Sequence, residues 1–241
     1  MFPLRRRVVL ALAGALVLGG CAHSPHGGAH DTTVRYLALG DSYTIGEGAY
    51  ARDRWPMQLA AMLREAGFKV EDPVIIAKTG WTTDELAEGI AKRMHGSETF
   101  DLVTLLIGVN NQYRGREIDE YRQQFVSLLQ VATHFAGGDA SRVIVVSIPD
   151  WGVTPYAEHR DRARIASEID RFNAVNQEET ERAGARYVDV TEISRRHGSD
   201  PEYLMADGLH PSGRAYREWA DAVMPEAEHA LPAFKRTDDT P

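Results

Sequence analysis

Five short apolar runs punctuate the chain, at residues 34–39, 74–77, 102–107, 143–148 and 186–190, and each has the length of a strand. Between them, hydrophobic positions recur at helical spacing. Leu59, Met62, Leu63 and Ala66 form one stripe; Ile118, Tyr121, Phe125, Leu128, Leu129 and Ala132 form another. Ile165, Ile169, Phe172 and Asn176 make a third, and Ala215, Trp219 and Val223 a fourth. Steps of three and four residues put each set on one face of a helix. Thr82 with Glu85 three residues on predicts a capping box, opening a helix that carries Leu86 and Ile90. Strands alternating with helices predict βαβ units, hence an α/β fold with a parallel sheet covered by helices on both faces. The run Val103-Thr104-Leu105-Leu106-Ile107 is apolar nearly throughout, which suits a strand buried on both sides.

The two ends of the chain break this pattern. Arg5-Arg6-Arg7 precedes an uncharged apolar run over residues 8–18, which ends in Leu18-Gly19-Gly20-Cys21. A basic stretch, a short apolar core and small residues before a cut site predict an export signal over residues 1–20. The apolar run is shorter than the roughly 20 residues that span a bilayer. Residues 21–33, rich in Gly, Ser and Pro, read as a flexible tether. Its histidines, His23, His26 and His30, are of a type that can hold a metal, but read as members of a polar linker. Residues 234–241 read as a polar tail, which leaves one domain over residues 34–233.

Composition narrows the function classes. The chain has 241 residues, is 43% hydrophobic and 26% charged, and so is globular rather than disordered. Its formal net charge of −8 argues against a duplex nucleic acid as partner, because phosphate neutralisation needs surplus Lys and Arg. The single cysteine, Cys21, excludes an intramolecular disulfide.

In open parallel sheets, ligands bind beyond the carboxyl ends of the strands. Gly40-Asp41-Ser42-Tyr43 follows the first strand run, Lys78-Thr79-Gly80-Trp81 the second and Gly108-Val109-Asn110-Asn111 the third. Asp207-Gly208-Leu209-His210 stands just before the last helix. These are the parts of an acyl-transfer site. Ser42 needs a base to become a nucleophile, His210 can be that base, and Asp207 can fix its tautomer. The backbone N–H groups of Ser42 and Gly80 and the Asn110 amide are candidate donors to an oxyanion. Taken singly, Ser42 also suits a helix cap, Gly80 a turn, and Asn110 a turn. Trp151 and Tyr156, after the fourth run, and Trp81, beside Gly80, are candidate walls for an acyl or sugar group, or simply packed side chains. The chain lacks Gly-x-Ser-x-Gly, His-Glu-x-x-His, a phosphate-binding Gly-rich loop and a paired-cysteine zinc pattern.

With those four blocks in that order, the chain resembles the SGNH hydrolases, also known as GDSL-type lipases and esterases, over about residues 36–218. Gly40-Asp41-Ser42-Tyr43 matches the first block, Gly80 the glycine block, Gly108 to Asn110 the Gly-x-Asn block and Asp207 to His210 the last. The resemblance implies a flavodoxin-like α/β/α sandwich around five parallel strands. It also implies ester hydrolysis without cofactor or metal, with Ser42, Asp207 and His210 catalytic. One departure is Asn111, where many members carry Asp. The Leu-Gly-Gly-Cys ending resembles a bacterial lipobox, which implies lipidation at Cys21, an anchor on a membrane and a place in the cell envelope; cleavage to a soluble secreted form is the alternative. The expected function is a serine esterase for short acyl esters, acetylated carbohydrate among them. A lysophospholipase or thioesterase of the same family, or a binding lipoprotein that kept the scaffold, are the alternatives.

Overall fold

A computed structural model describes residues 33–94 and 96–231. The expected export segment, Cys21, the tether up to residue 32 and the polar tail lie outside the described residues.

The strands are β1 (Tyr36–Gly40), β2 (Val74–Ala77), β3 (Leu102–Leu106), β4 (Val143–Val146) and β5 (Arg186–Val188). All pair in parallel, in the order β2-β1-β3-β4-β5. The five expected strands are these five, with ends shifted by a few residues. Val34 falls outside β1 because it makes only an isolated bridge to Val70. The polar member of the third apolar run, Thr104, is fully buried, and it is satisfied because its hydroxyl meets Tyr36 Oη at 3.0 Å.

The helices are α1 (Ser42–Ile45), α2 (Trp55–Glu65), α3 (Thr83–Arg93), α4 (Val109–Tyr113), α5 (Ile118–Phe135), α6 (Arg162–Ala183), α7 (Thr191–His197) and α8 (Gly213–Ala230). The predicted stripes are their buried faces. Leu59 and Leu63 of α2, Tyr121 and Phe125 of α5, and Trp219 and Val223 of α8 are all shielded from solvent. α2 packs along α8 in one layer, and α5 packs between α3 and α6 in the other, so the sheet is covered on both faces. The capping box at the start of α3 is present, with the Thr82 N–H donating to Glu85 Oε2 at 2.9 Å. The one- and two-turn helices α1, α4 and α7 carry no readable periodicity, since fewer than two turns cannot repeat a 3.6-residue pattern.

Strand order matters for function. β1 has β2 on one side and β3 on the other, so the chain reverses its direction of travel across the sheet at β1. In this arrangement a crevice opens beyond the carboxyl ends of the strands at the reversal, here β1 and β3. Ser42 follows β1 and Asn110 follows β3.

Candidate active site

The turn after β1 is built for close approach. A Cβ on Gly40 would sit 2.5 Å from the Leu106 carbonyl of β3 and collide with the Thr44 hydroxyl. Only glycine lets the strand end pass this near its neighbour. Asp41 then caps α1: its Oδ1 accepts the Tyr43 N–H at 3.0 Å, and its carbonyl accepts the Ile45 N–H at 2.9 Å. The cap is therefore Asp41, and Ser42 is the first residue of the helix rather than its cap. Asp41 is fully buried and its second carboxyl oxygen has no partner among the described residues, so burial pushes its pKa up to about 7 against the bonds it accepts.

The second turn reverses at Gly80. The Trp81 N–H bonds to the Lys78 carbonyl at 3.2 Å and Gly80 has φ +84°. That is the third position of a type II turn, which requires a positive φ. A Cβ there would meet nothing nearer than Arg114 Nη2 at 3.8 Å, so the demand for glycine is conformational and not steric.

Asn110 stands in the first turn of α4, which Gly108 opens with φ +132°. Its Nδ2 donates one hydrogen to the Trp81 carbonyl at 2.9 Å, and an amide nitrogen carries two. The neighbouring Asn111 is buried and turned the other way. It accepts the Thr83 N–H at 3.1 Å and donates to the Thr83 hydroxyl at 2.7 Å, tying α4 to the start of α3.

Asp207 organises the last loop with both oxygens. Oδ1 accepts the N–H groups of Leu209 and His210 at 2.9 and 3.0 Å, and Oδ2 lies 2.6 Å from His210 Nδ1. Partial burial acts to raise the Asp207 pKa, but the bonds from the His210 ring and from the two backbone groups outweigh it and hold the carboxyl below its ordinary value. An ionised Asp207 requires a proton on Nδ1, which leaves Nε2 of a neutral His210 as the acceptor. The His210 ring is buried beside Tyr43, with ring centres 5.4 Å apart. The Gly208 carbonyl accepts the Tyr156 N–H at 3.0 Å, so the segment after β4 buttresses this loop.

Ser42, Gly80, Asn110 and His210 line one cavity of about 140 Å³. A hydroxyl, an imidazole aligned by a carboxylate, and N–H donors around one cavity can together carry out acyl transfer. A sequence model of the GDSL-like lipase/acylhydrolase family matches residues 38–218.

The chain belongs to that family.

This GDSL-like protein is accordingly a carboxylic ester hydrolase. It is 24% identical to the spore germination lipase LipC of Bacillus licheniformis over 208 residues, covering 79% of this chain and 95% of that one. In fold it is similar to a lipase/acylhydrolase from Enterococcus faecalis, with TM-score 0.63, 19% identity and coverage of 85% and 99% of the two chains. It is likewise similar to AlinE4, an SGNH-hydrolase family esterase, with TM-score 0.57, 20% identity and coverage of 83% and 98%.

Of the three aromatic residues expected to form walls, Trp151 and Tyr156 line the cavity of this GDSL-like hydrolase and Trp81 does not. The Trp81 ring lies over Gly89 of α3, where a Cβ would overlap it, and only its carbonyl faces Asn110. Its neighbour Gly80 belongs to the turn, but the bare helix surface at Gly89 decides where the ring packs. Tyr113, Val109 and Leu209 also line the cavity and were not singled out in the sequence. Tyr113 is three residues from Asn110, the spacing that puts both on one face of α4. Tyr113 and Tyr156 meet hydroxyl to hydroxyl at 3.2 Å, and the Trp151 indole N–H is held by Gln112 Oε1 at 2.8 Å. Among the described residues, no group of His, Cys, Asp or Glu side chains is arranged to hold a metal ion, and no helix is long and apolar enough to cross a membrane.

Proposed function

We propose that this protein is a serine esterase that cleaves short acyl esters through an acyl-enzyme at Ser42. One observation carries the reading: Ser42, Gly80, Asn110 and His210 share one cavity at the sheet's reversal point, with Asp207 2.6 Å from the far nitrogen of His210. His210 Nε2 takes the Ser42 proton as Oγ attacks the ester carbonyl. Asp207 holds the ring and stabilises the imidazolium that forms. The backbone N–H groups of Ser42 and Gly80 and the second hydrogen of Asn110 Nδ2 receive the negative charge of the tetrahedral intermediate. The intermediate collapses by breaking the C–O bond to the alcohol, which leaves with the proton from His210. Water then enters and attacks the acyl-Ser42 carbonyl as His210 takes its proton. The second intermediate collapses by breaking the bond from Ser42 Oγ to the acyl carbon, His210 returns the proton to Oγ, and the acid leaves.

The dimensions of the cavity support a short acyl group. Its apolar wall is Val109, Tyr113, Trp151, Tyr156 and Leu209, in about 140 Å³. Burying an acyl chain is worth about 0.8 kcal/mol per CH₂ only where such a wall receives it. The first methylenes gain from this site and later ones do not. Acetylated carbohydrates and small alkyl esters both meet that limit. The sequence of residues 5–21 supports a place in the cell envelope, with export by the basic and apolar segment and a lipid anchor at Cys21.

Two measurements test this. A fluorophosphonate probe should label the wild type at Ser42 and leave Ser42→Ala and His210→Ala unlabelled, with ester turnover reduced by several orders of magnitude in both. Across p-nitrophenyl esters, kcat/KM should peak at acyl chains of roughly two to six carbons. A variant that keeps more than a tenth of the activity rejects the nucleophile and base. A maximum at twelve carbons or more rejects the short groove and moves the protein toward the lipases.

A further inference from the structure

We propose that Arg114 is a positioning residue that holds the oxyanion donors of this site in register; this rests on the esterase reading above. α4 is only five residues long, with Asn110 in its first turn and Arg114 at its C-cap. The two side chains reach back to consecutive carbonyls of one loop. Asn110 Nδ2 donates to the Trp81 carbonyl at 2.9 Å, and Arg114 Nη2 donates to the Gly80 carbonyl at 2.5 Å. One short helix therefore supplies a donor to the cavity and also grips the turn that supplies another.

The grip has a fixed base. Arg114 Nη1 donates to Glu85 Oε1 at 3.2 Å, and the other oxygen of Glu85 accepts the Thr82 N–H in the capping box of α3. The guanidinium thus spans from the first turn of α3 to the tip of the loop. Its planar fork can serve both acceptors at once, which an ammonium on a flexible stem does poorly.

The loop needs this support. Lys78 and Thr79 are exposed, and among the described residues, leaving aside the two chain neighbours of Gly80, the one atom within 4 Å of a Cβ position there belongs to Arg114. Besides Arg114, the turn is held by its own bond from the Trp81 N–H to the Lys78 carbonyl and by the Thr79 hydroxyl, which donates to Glu47. Arg114 anchors the Gly80 carbonyl and so holds in place the residue whose N–H is the proposed oxyanion donor. Oxyanion donors act only within a narrow range of distance and angle, and a displacement near 1 Å can reduce turnover about 100-fold.

A purely stabilising role is the competing explanation, and solvent exposure argues against it. The side chains of Arg114 and Glu85 are 40% and 39% exposed, and ion pairs of that exposure add little to stability. Arg114 does not line the cavity and its terminal nitrogens are already engaged, so it is not a substrate-binding cation.

The test compares wild type, Arg114→Ala and Arg114→Lys with p-nitrophenyl acetate, a trifluoromethyl ketone as probe of the tetrahedral adduct, and thermal melting. Arg114→Ala should lose about 10- to 100-fold in kcat with KM within about twofold, and its affinity for the ketone should fall by the same factor. The melting temperature should stay within a few degrees of wild type. Free guanidinium at tens of millimolar should restore part of the Arg114→Ala activity, and Arg114→Lys should fall between the two. A kcat within twofold of wild type overturns the proposal, as does a loss that appears wholly in KM or that guanidinium leaves untouched while melting falls sharply. If the wild type itself takes no fluorophosphonate at Ser42, the esterase reading fails and the positioning role falls with it. An active, labelled wild type beside a fully active Arg114→Ala fails the positioning role alone.

Discussion

Gly80→Ala separates conformation from packing at a single atom. The added methyl group has room, with its nearest neighbour 3.8 Å away, so no clash opposes the substitution. The backbone does oppose it. Holding an L-residue at the φ of +84° found here costs about 1–2 kcal/mol. The chain has an easy escape, because type I and type II turns differ by about a half-turn of the central peptide and share the same outer hydrogen bond. Here the central peptide joins Thr79 to Gly80, and the outer bond runs from the Trp81 N–H to the Lys78 carbonyl. Rotating that peptide relieves the strain without breaking the outer bond. It also turns the N–H of residue 80, the oxyanion donor proposed above, by about a half-turn, and on that proposal the site loses one donor. The expected result is a kcat lower by about 10²–10³, the usual effect of removing one such donor, with KM little changed. Stability should fall by no more than the 1–2 kcal/mol that the flip avoids. Steady-state kinetics on a short p-nitrophenyl ester, beside urea unfolding, reads both quantities. A variant that keeps more than a tenth of wild-type kcat while losing stability has held its type II turn, and the reasoning is refuted.

Three further outcomes are expected. Asn110→Ala should lower kcat by about 10²–10³ with KM nearly constant, because the donor meets the tetrahedral oxygen better than the ground-state carbonyl; a large rise in KM at constant kcat would mean that Asn110 binds substrate instead. Asp41→Asn should flatten a pH dependence of stability. The folded carboxyl keeps its proton up to about 7 while the unfolded one releases it near 3.8, so this group's contribution is complete below the lower value, declines as pH rises and is gone above the upper. At about 1.4 kcal/mol per pKa unit, urea unfolding should show the variant gaining a few kcal/mol on wild type between pH 4 and 8, and parallel profiles would contradict the buried, unpartnered carboxyl. Cys21→Ser should shift the protein from the detergent phase to an uncleaved or soluble form, and equal partitioning of the two would reject a lipid anchor.

The strands and long helices were legible in the sequence because their signal is local. A strand buried on both faces reads as a continuous apolar run, and β3 shows it in Leu102, Val103, Leu105 and Leu106, all shielded from solvent. An amphipathic helix of three turns or more repeats its stripe, as α5 does from Tyr121 to Ala132. Parallel topology followed from their alternation, and the place to look for chemistry followed from the strand ends. What the sequence by itself determined was therefore the sheet, its covering helices, and the residue types at its carboxyl edge: Ser42, Gly80, Asn110, Asp207 and His210. Which side chains face the cavity was decided only by the tertiary structure. Trp81 turns to the bare surface at Gly89, Asn111 to Thr83, and Tyr113 toward Tyr156, 43 residues away. Arg114 looks like any surface charge until Gly80, 34 residues earlier, is brought beneath it. Side-chain direction depends on which partners from distant parts of the chain fill the space around it, and a local pattern of apolar and polar positions carries no record of those partners.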